Sequence, residues 1–203
     1  MKAYLRYVIL GLLTLLACGG IIYYQVKSQP LSYVSDKKSE SKIEIGGPFK
    51  LIDQHGKLRS SQEFKGKLML IYFGYSFCPD ICPLGLQNIT QALNDLGRDR
   101  DQVVPIFITV DPKRDTPEHL AIYASNFHPA FVMLTGSTGE IEQLKKKFKV
   151  YSALAKTDQS TQDYLIDHTT LVYLMDRNGH YLESFAHSTS PEKIAQILQK
   201  ALF

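Results

Sequence analysis

Six consecutive apolar residues, Leu68-Met69-Leu70-Ile71-Tyr72-Phe73, run almost directly into Cys78-Pro79-Asp80-Ile81-Cys82-Pro83. That junction constrains the fold more than any other stretch. An apolar run this short, without alternation, fits a strand buried on both faces, and such a strand needs helices to cover it. A helical pattern follows, with Leu86, Ile89, Leu93 and Leu96 spaced three and four apart. Val103–Val110 reads as a second buried strand. Thr116-Pro117-Glu118 then opens a helix, with a hydroxyl N-cap, proline at the first helical position and an acid in the first turn. Phe131-Val132-Met133-Leu134 is a short strand ahead of the helix start Ser137-Thr138-Gly139-Glu140. Further on, Thr169–Met175 and His180–Phe185 flank Asp176-Arg177-Asn178-Gly179, where Asn-Gly marks a hairpin turn. Ser190-Pro191-Glu192 begins a last helix through Leu202. This order predicts an α/β domain, a mixed sheet flanked by helices on both faces as in thioredoxin-like domains. Phe49–Asp53 and Thr135–Asp163 are additions to that core.

The first part of the chain reads differently. Tyr7–Val26 carries no charge and is dominated by Leu and Ile. As a helix it reaches about 30 Å, the thickness of a bilayer's hydrocarbon core. Tyr7, Tyr23 and Tyr24 fall where interfacial aromatics are expected, and Lys2 and Arg6 precede the run, so residues 1–6 are expected to stay cytoplasmic while the rest crosses. A competing reading is lipidation at Cys18, because Leu15-Leu16-Ala17-Cys18 resembles a bacterial lipoprotein box, although the apolar run continues past it. Residues 27–44 are rich in Ser, Lys, Asp and Glu without apolar period and read as a flexible tether. The folded domain is then 45–203. No transit peptide rich in Arg and Ser precedes the anchor, which favours a single-pass protein of a bacterial inner membrane, its domain facing the periplasm, over the mitochondrial intermembrane space. The net charge of +3 is small and scattered, which excludes a nucleic-acid partner, and Lys145-Lys146-Lys147 reads as a solvated helix face.

Three cysteines are too few for a disulfide framework, and Cys18 lies in the anchor. Cys78 and Cys82 are therefore a redox pair or metal ligands. Pro83 places the start of the helix proper at that residue, with Cys82 near its cap and Cys78 on the loop leading in. Both sulfurs then lie in the positive field of a helix N-terminus, which favours thiolate for metal binding and for nucleophilic attack alike. Two thiolates alone suit Cu(I), zinc or a disulfide, and a third ligand decides. Among six histidines, His55 and His180 fall in turns, His119 and His128 belong to a helix and its end, and His187 follows the last strand. His168 stands apart, at the start of the strand Thr169–Met175, where thioredoxin-like domains face their cysteine loop and usually carry a cis-proline. No proline occurs near it here. Asp80 is expected to favour the helix N-terminus, and Asp167 is a candidate to orient His168. Asp111–Pro117 reads as a loop and helix cap.

Three separated motifs carry a resemblance: Cys78-Pro79-Asp80-Ile81-Cys82-Pro83, Asp111-Pro112-Lys113-Arg114-Asp115-Thr116-Pro117, and Asp163-Tyr164-Leu165-Ile166-Asp167-His168-Thr169-Thr170. In type, order and spacing, over residues 45–203, they resemble the SCO/SenC proteins. The resemblance implies a thioredoxin-like fold and a metallochaperone rather than an enzyme. It makes Cys78, Cys82 and His168 the copper ligands, with Cys78 and Cys82 also able to form a redox-active disulfide. The cargo is Cu(I), Cu(II) or both, delivered to the dinuclear copper site of cytochrome c oxidase subunit II. Other copper chaperones or thioredoxin-like reductants are further partners. The donor set agrees: two soft thiolates and an imidazole suit copper, whereas structural zinc usually takes four protein ligands. The alternative is a thiol–disulfide oxidoreductase that reduces the cysteines of that same subunit. A thiol peroxidase is a third reading, but no Thr or Arg flanks Cys78 suitably.

Overall fold

The computed structural model describes residues 16–25, 44–155 and 164–203. Residues 44–203 form one compact unit; of the other, residues 1–43, only the helical stretch 16–25 is described. Half of the charge-free run Tyr7–Val26, and nearly all of the tether at 27–44, lie outside the described residues. Among those described, no helix is long and apolar enough to cross a membrane.

The centre of the fold is β3 (Leu68–Gly74), buried at every position. It pairs in parallel with β4 (Val103–Thr109) and antiparallel with β8 (Leu171–Met175). Around that trio the sheet extends to β5 (Val132–Thr135), β1 (Lys50–Asp53) and β2 (Leu58–Ser60) on one side and to β9 (Tyr181–Ala186) on the other, in the order β2-β1-β5-β4-β3-β8-β9. The sheet is mixed, and its helices are α1 (Ile81–Asp95), α2 (Pro117–Ala124), α3 (Thr138–Phe148) and α4 (Pro191–Leu202). Successive side chains of a strand point to opposite faces. Phe73 meets Phe148 of α3, ring centroids 5.2 Å apart, while its neighbour Tyr72 reaches Cys82 of α1. Helices thus cover both faces, with α4 packed on α1, and the fold is thioredoxin-like as expected.

The helix starts follow their caps. Thr116, Ser137 and Ser190 each accept a backbone N–H from the first turn, and proline is the first residue of α2 and α4. Several sequence expectations shift. Helix α1 begins at Ile81, two residues before Pro83, because an N–H missing from the first turn leaves no hydrogen bond unmade. The expected strand Thr169–Met175 begins only at Leu171, as β8, and His168 ends a separate strand, β7 (Ile166–His168), with Thr169 and Thr170 between the two. The Thr169 N–H bonds to the Tyr151 carbonyl, and its hydroxyl accepts from the Tyr151 N–H, so it serves β6 (Ser152–Leu154) rather than the main sheet. β7 pairs only with β6, in a separate two-stranded sheet. The lysine run is not uniformly solvated either: Lys145 is buried and its ammonium pairs with Glu142 at 2.6 Å.

Candidate metal centre

The buried strand β3 ends at Gly74, and the site is built on that ending. A side chain there would place its Cβ 2.9 Å from the Cys82 sulfur and 2.9 Å from the Phe107 ring, so glycine is what lets Cys82 lie against the strand. The chain turns at once, with the Cys78 N–H donating to the Tyr75 carbonyl at 3.2 Å. Asp80 occupies the N-cap of α1, yet its carboxylate makes no capping hydrogen bond. The Cys78 sulfur does that work: it accepts the Cys82 N–H at 3.4 Å, satisfying a donor the helix leaves open. Cys82 itself is fully buried, with the Tyr72 hydroxyl 3.9 Å from its sulfur, while Cys78 is half-buried. Neither is in a disulfide.

His168 arrives from 86 residues along the chain at the end of β7, opposite Ser152. Its Nε2 lies 3.4 Å from the Cys82 sulfur and its Nδ1 2.9 Å from the Thr169 carbonyl oxygen. A carbonyl only accepts, so Nδ1 carries the proton and Nε2 is the nitrogen a neutral ring offers to a metal. The orienting acceptor is therefore Thr169, whereas Asp167 is exposed and points no bond at the ring. Two tyrosines of the strand and its exit hold the imidazole edge-on, Tyr75 at 5.8 Å and Tyr72 at 6.3 Å between centroids. The Tyr75 hydroxyl also accepts the Ile166 N–H at 3.1 Å, tying β7 to the cysteine loop. A cleft of 310 Å³ opens beside them, lined by Cys78, Asp80, Ile81, Leu165 and His168.

The electrostatics divide the two thiols. The Cys82 thiol donates to Cys78; burial opposes ionisation, but the N–H groups of Cys82 and Asp80 add to the stabilisation and hold Cys78 down to about 3. The same bond to Cys78, with burial and the Cys78 charge, pushes Cys82 far up. The pair thus presents one thiolate and one thiol. A metal bound by both would release the Cys82 proton.

Ligands about 2.0–2.3 Å from a common ion, at trigonal or tetrahedral angles, lie roughly 3.5–3.7 Å apart. The Cys82–His168 contact already approaches that spacing. Among the described residues no three His, Cys, Asp or Glu side chains are disposed as a closed cage. The other histidines lie elsewhere. His55 and His180 are exposed in turns, and the Nδ1 of His128 accepts the Ala130 N–H. His119 stacks on Phe77 at 4.7 Å, and His187 packs beside Gly85 of α1, its N–H on the Thr170 carbonyl. Sequence reasoning passed over Tyr72, Gly74, Tyr75 and Ser76, which support the site without belonging to a spaced motif.

The comparisons with known proteins agree with this architecture. The family model described as SCO1/SenC matches residues 37–202. An SCO2-like protein of Rickettsia prowazekii is 47% identical over 160 residues, covering 79% of this chain and 78% of the relative. Among solved structures, Bradyrhizobium japonicum ScoI with copper bound superposes with a TM-score of 0.72 at 43% identity, over 77% of this chain and 99% of that one. BsSco, described as carrying a disulfide switch and as a member of the Sco family of cytochrome c oxidase assembly proteins, superposes with a TM-score of 0.61 at 26% identity, over 78% of this chain and 94% of that one. Matched over most of its length by sequence and fold alike, the chain belongs to the SCO1/SenC family.

Proposed function

We propose that this chain is a copper chaperone, holding copper as cargo through Cys78, Cys82 and His168 and delivering it to the dinuclear copper site of cytochrome c oxidase subunit II. One observation carries the reading: the His168 Nε2 comes to 3.4 Å from the Cys82 sulfur across 86 residues. Thiol exchange has no need of that imidazole. The donor set is soft enough for Cu(I) and, with an oxygen donor added, accepts Cu(II). The copper-bound state of the Bradyrhizobium relative and the oxidase-assembly role of the BsSco family support the same assignment. In this reading residues 1–6 are cytoplasmic, 7–26 anchor the chain in a bacterial inner membrane, 27–44 tether it, and 45–203 work in the periplasm.

The chain's own residues set the chemistry. Cys78, half-buried and ionised, meets the ion first, and Cys82 joins by giving up its proton. His168 is already aimed, its tautomer fixed by the Thr169 carbonyl. The test loads the full chain with Cu(II) and records its visible spectrum. Thiolate-to-copper bands are expected in the wild type and lost in Cys78→Ser, Cys82→Ser and His168→Ala. A wild type without such bands overturns the reading.

The half-buried thiolate at Cys78 favours a second reading, reduction of a disulfide in the same oxidase subunit, with Cys82 as the resolving thiol. There His168→Ala would leave thiol exchange at its wild-type rate.

A further inference from the structure

The loop between β4 and α2, Asp111-Pro112-Lys113-Arg114-Asp115, holds two carboxylates that contact no ligand, yet Asp115 is fully buried and Asp111 nearly so. Burying a carboxylate is costly unless every oxygen is bonded, and a neutral loop would serve a helix cap as well. Each carboxylate serves a different part of the site. Asp115 accepts the Ser76 N–H at 3.1 Å, the Ser76 hydroxyl, and the Thr109 hydroxyl at 2.6 Å. Ser76 stands between the end of β3 and Cys78, so Asp115 fixes the loop that presents the cysteine. Asp111 accepts the Tyr164 hydroxyl at 2.9 and 3.0 Å and the Arg114 guanidinium. Tyr164 stands two residues before β7, the strand that ends in His168.

Arg114 joins the two halves. Its guanidinium carbon lies 3.6 Å from the Tyr164 ring centroid and 4.6 Å from that of Phe77, whose ring stacks on His119. Tyr164 comes from the histidine arm and Phe77 from the cysteine loop, so one planar cation bridges both. β7 needs such ties, because it has no strand partner in the main sheet.

We propose that Asp111, Arg114 and Asp115 are positioning residues for the ligand set, Asp115 setting the cysteine loop and Asp111 with Arg114 setting the strand of His168; this rests on the copper reading above. The two arms are separable. The full chain in mild detergent is compared with Tyr164→Phe, Arg114→Lys, Asp115→Asn and Ser76→Ala. Three quantities are read: the imidazole nitrogen resonances of His168 and the alkylation rate of Cys78, both without metal, and the Cu(II) affinity by chelator competition. Tyr164→Phe should shift the His168 resonances and weaken Cu(II) by about tenfold, with Cys78 alkylation within about twofold of wild type. Arg114→Lys, which loses the stack on Phe77 as well, should move both the His168 resonances and Cys78 alkylation. Asp115→Asn should change Cys78 alkylation by about tenfold while the metal-free His168 resonances stay in place. Ser76→Ala, which keeps its N–H bond, should move in the same direction by less, and it carries the cysteine arm if Asp115→Asn fails to fold. Variants with wild-type circular dichroism and wild-type values throughout would overturn the proposal, as would Tyr164→Phe disturbing Cys78 as much as His168. If the wild type binds no copper, the copper reading falls, and the two metal-free quantities still decide whether these residues position the site.

Discussion

Cys78 and Cys82 have the same side chain, four residues apart, and the fold gives them opposite protonation. Cys78 accepts the Cys82 thiol and N–H at the mouth of α1, while Cys82 is sealed between the helix, Tyr72 and the bare backbone of Gly74. The sign of the pH dependence follows. A free thiol, near 8.5, loses reactivity as the pH falls below that value, whereas a folded thiol held down to about 3 stays ionised throughout that range. Alkylation of Cys78 by iodoacetamide in the folded, metal-free chain should therefore slow by no more than about threefold between pH 8 and pH 5, against about a thousandfold in the urea-unfolded chain. Peptide mapping of the alkylated residue checks it.

At the scale of elements, the turn between β1 and β2 shows how a carboxylate shapes a connection. Buried Asp53 accepts the N–H groups of His55 and Lys57, both at 2.9 Å, and pairs with Arg59 at 3.2 Å. Burial works against its charge, but these donors outweigh it and hold its pKa below the ordinary 3.8. A depressed folded pKa contributes stability that is present above 3.8 and lost as the pH falls through the folded value. Asp53→Asn should thus lower the urea midpoint at pH 7, with the difference from wild type shrinking towards pH 3. Elements of this kind were largely readable. The buried run of β3, the three-and-four spacing of α1 and the hydroxyl–proline caps of α2 and α4 each answer to a local pattern. Two boundaries were not. Pro83 reads as a helix start because a missing N–H breaks a helix interior, but the first turn leaves that group open anyway. Thr169 and Thr170 looked like strand because β-branched residues favour one, yet their partners, Tyr151 and His187, lie outside β8. The candidate ligands are named by residue type and by resemblance, and the structure brings His168 beside Cys82. Their supports were not readable, since Ser76–Asp115, Tyr164–Asp111 and Ile166–Tyr75 join residues 39, 53 and 91 apart with no period to reveal them.

Over the folded unit as a whole, the site joins two bodies of unequal anchorage. Cys82 belongs to the core, packed from its helix against β3, the strand buried along its full length, and Cys78 lies on the loop that leads into that helix. His168 rides on a two-stranded sheet of three-residue strands, held to the rest by a few side-chain bonds. Amide hydrogen exchange should separate them. The amides of β3 and β4 should exchange only through global unfolding, and those of β6 and β7 through local opening at a free energy well below it. Equal protection in both would mean that the small sheet is as firmly seated as the core. On the proposed copper reading, unequal protection would let the nitrogen donor withdraw while both sulfurs stay in place, so that a recipient's ligand replaces the imidazole before it has to compete with a thiolate.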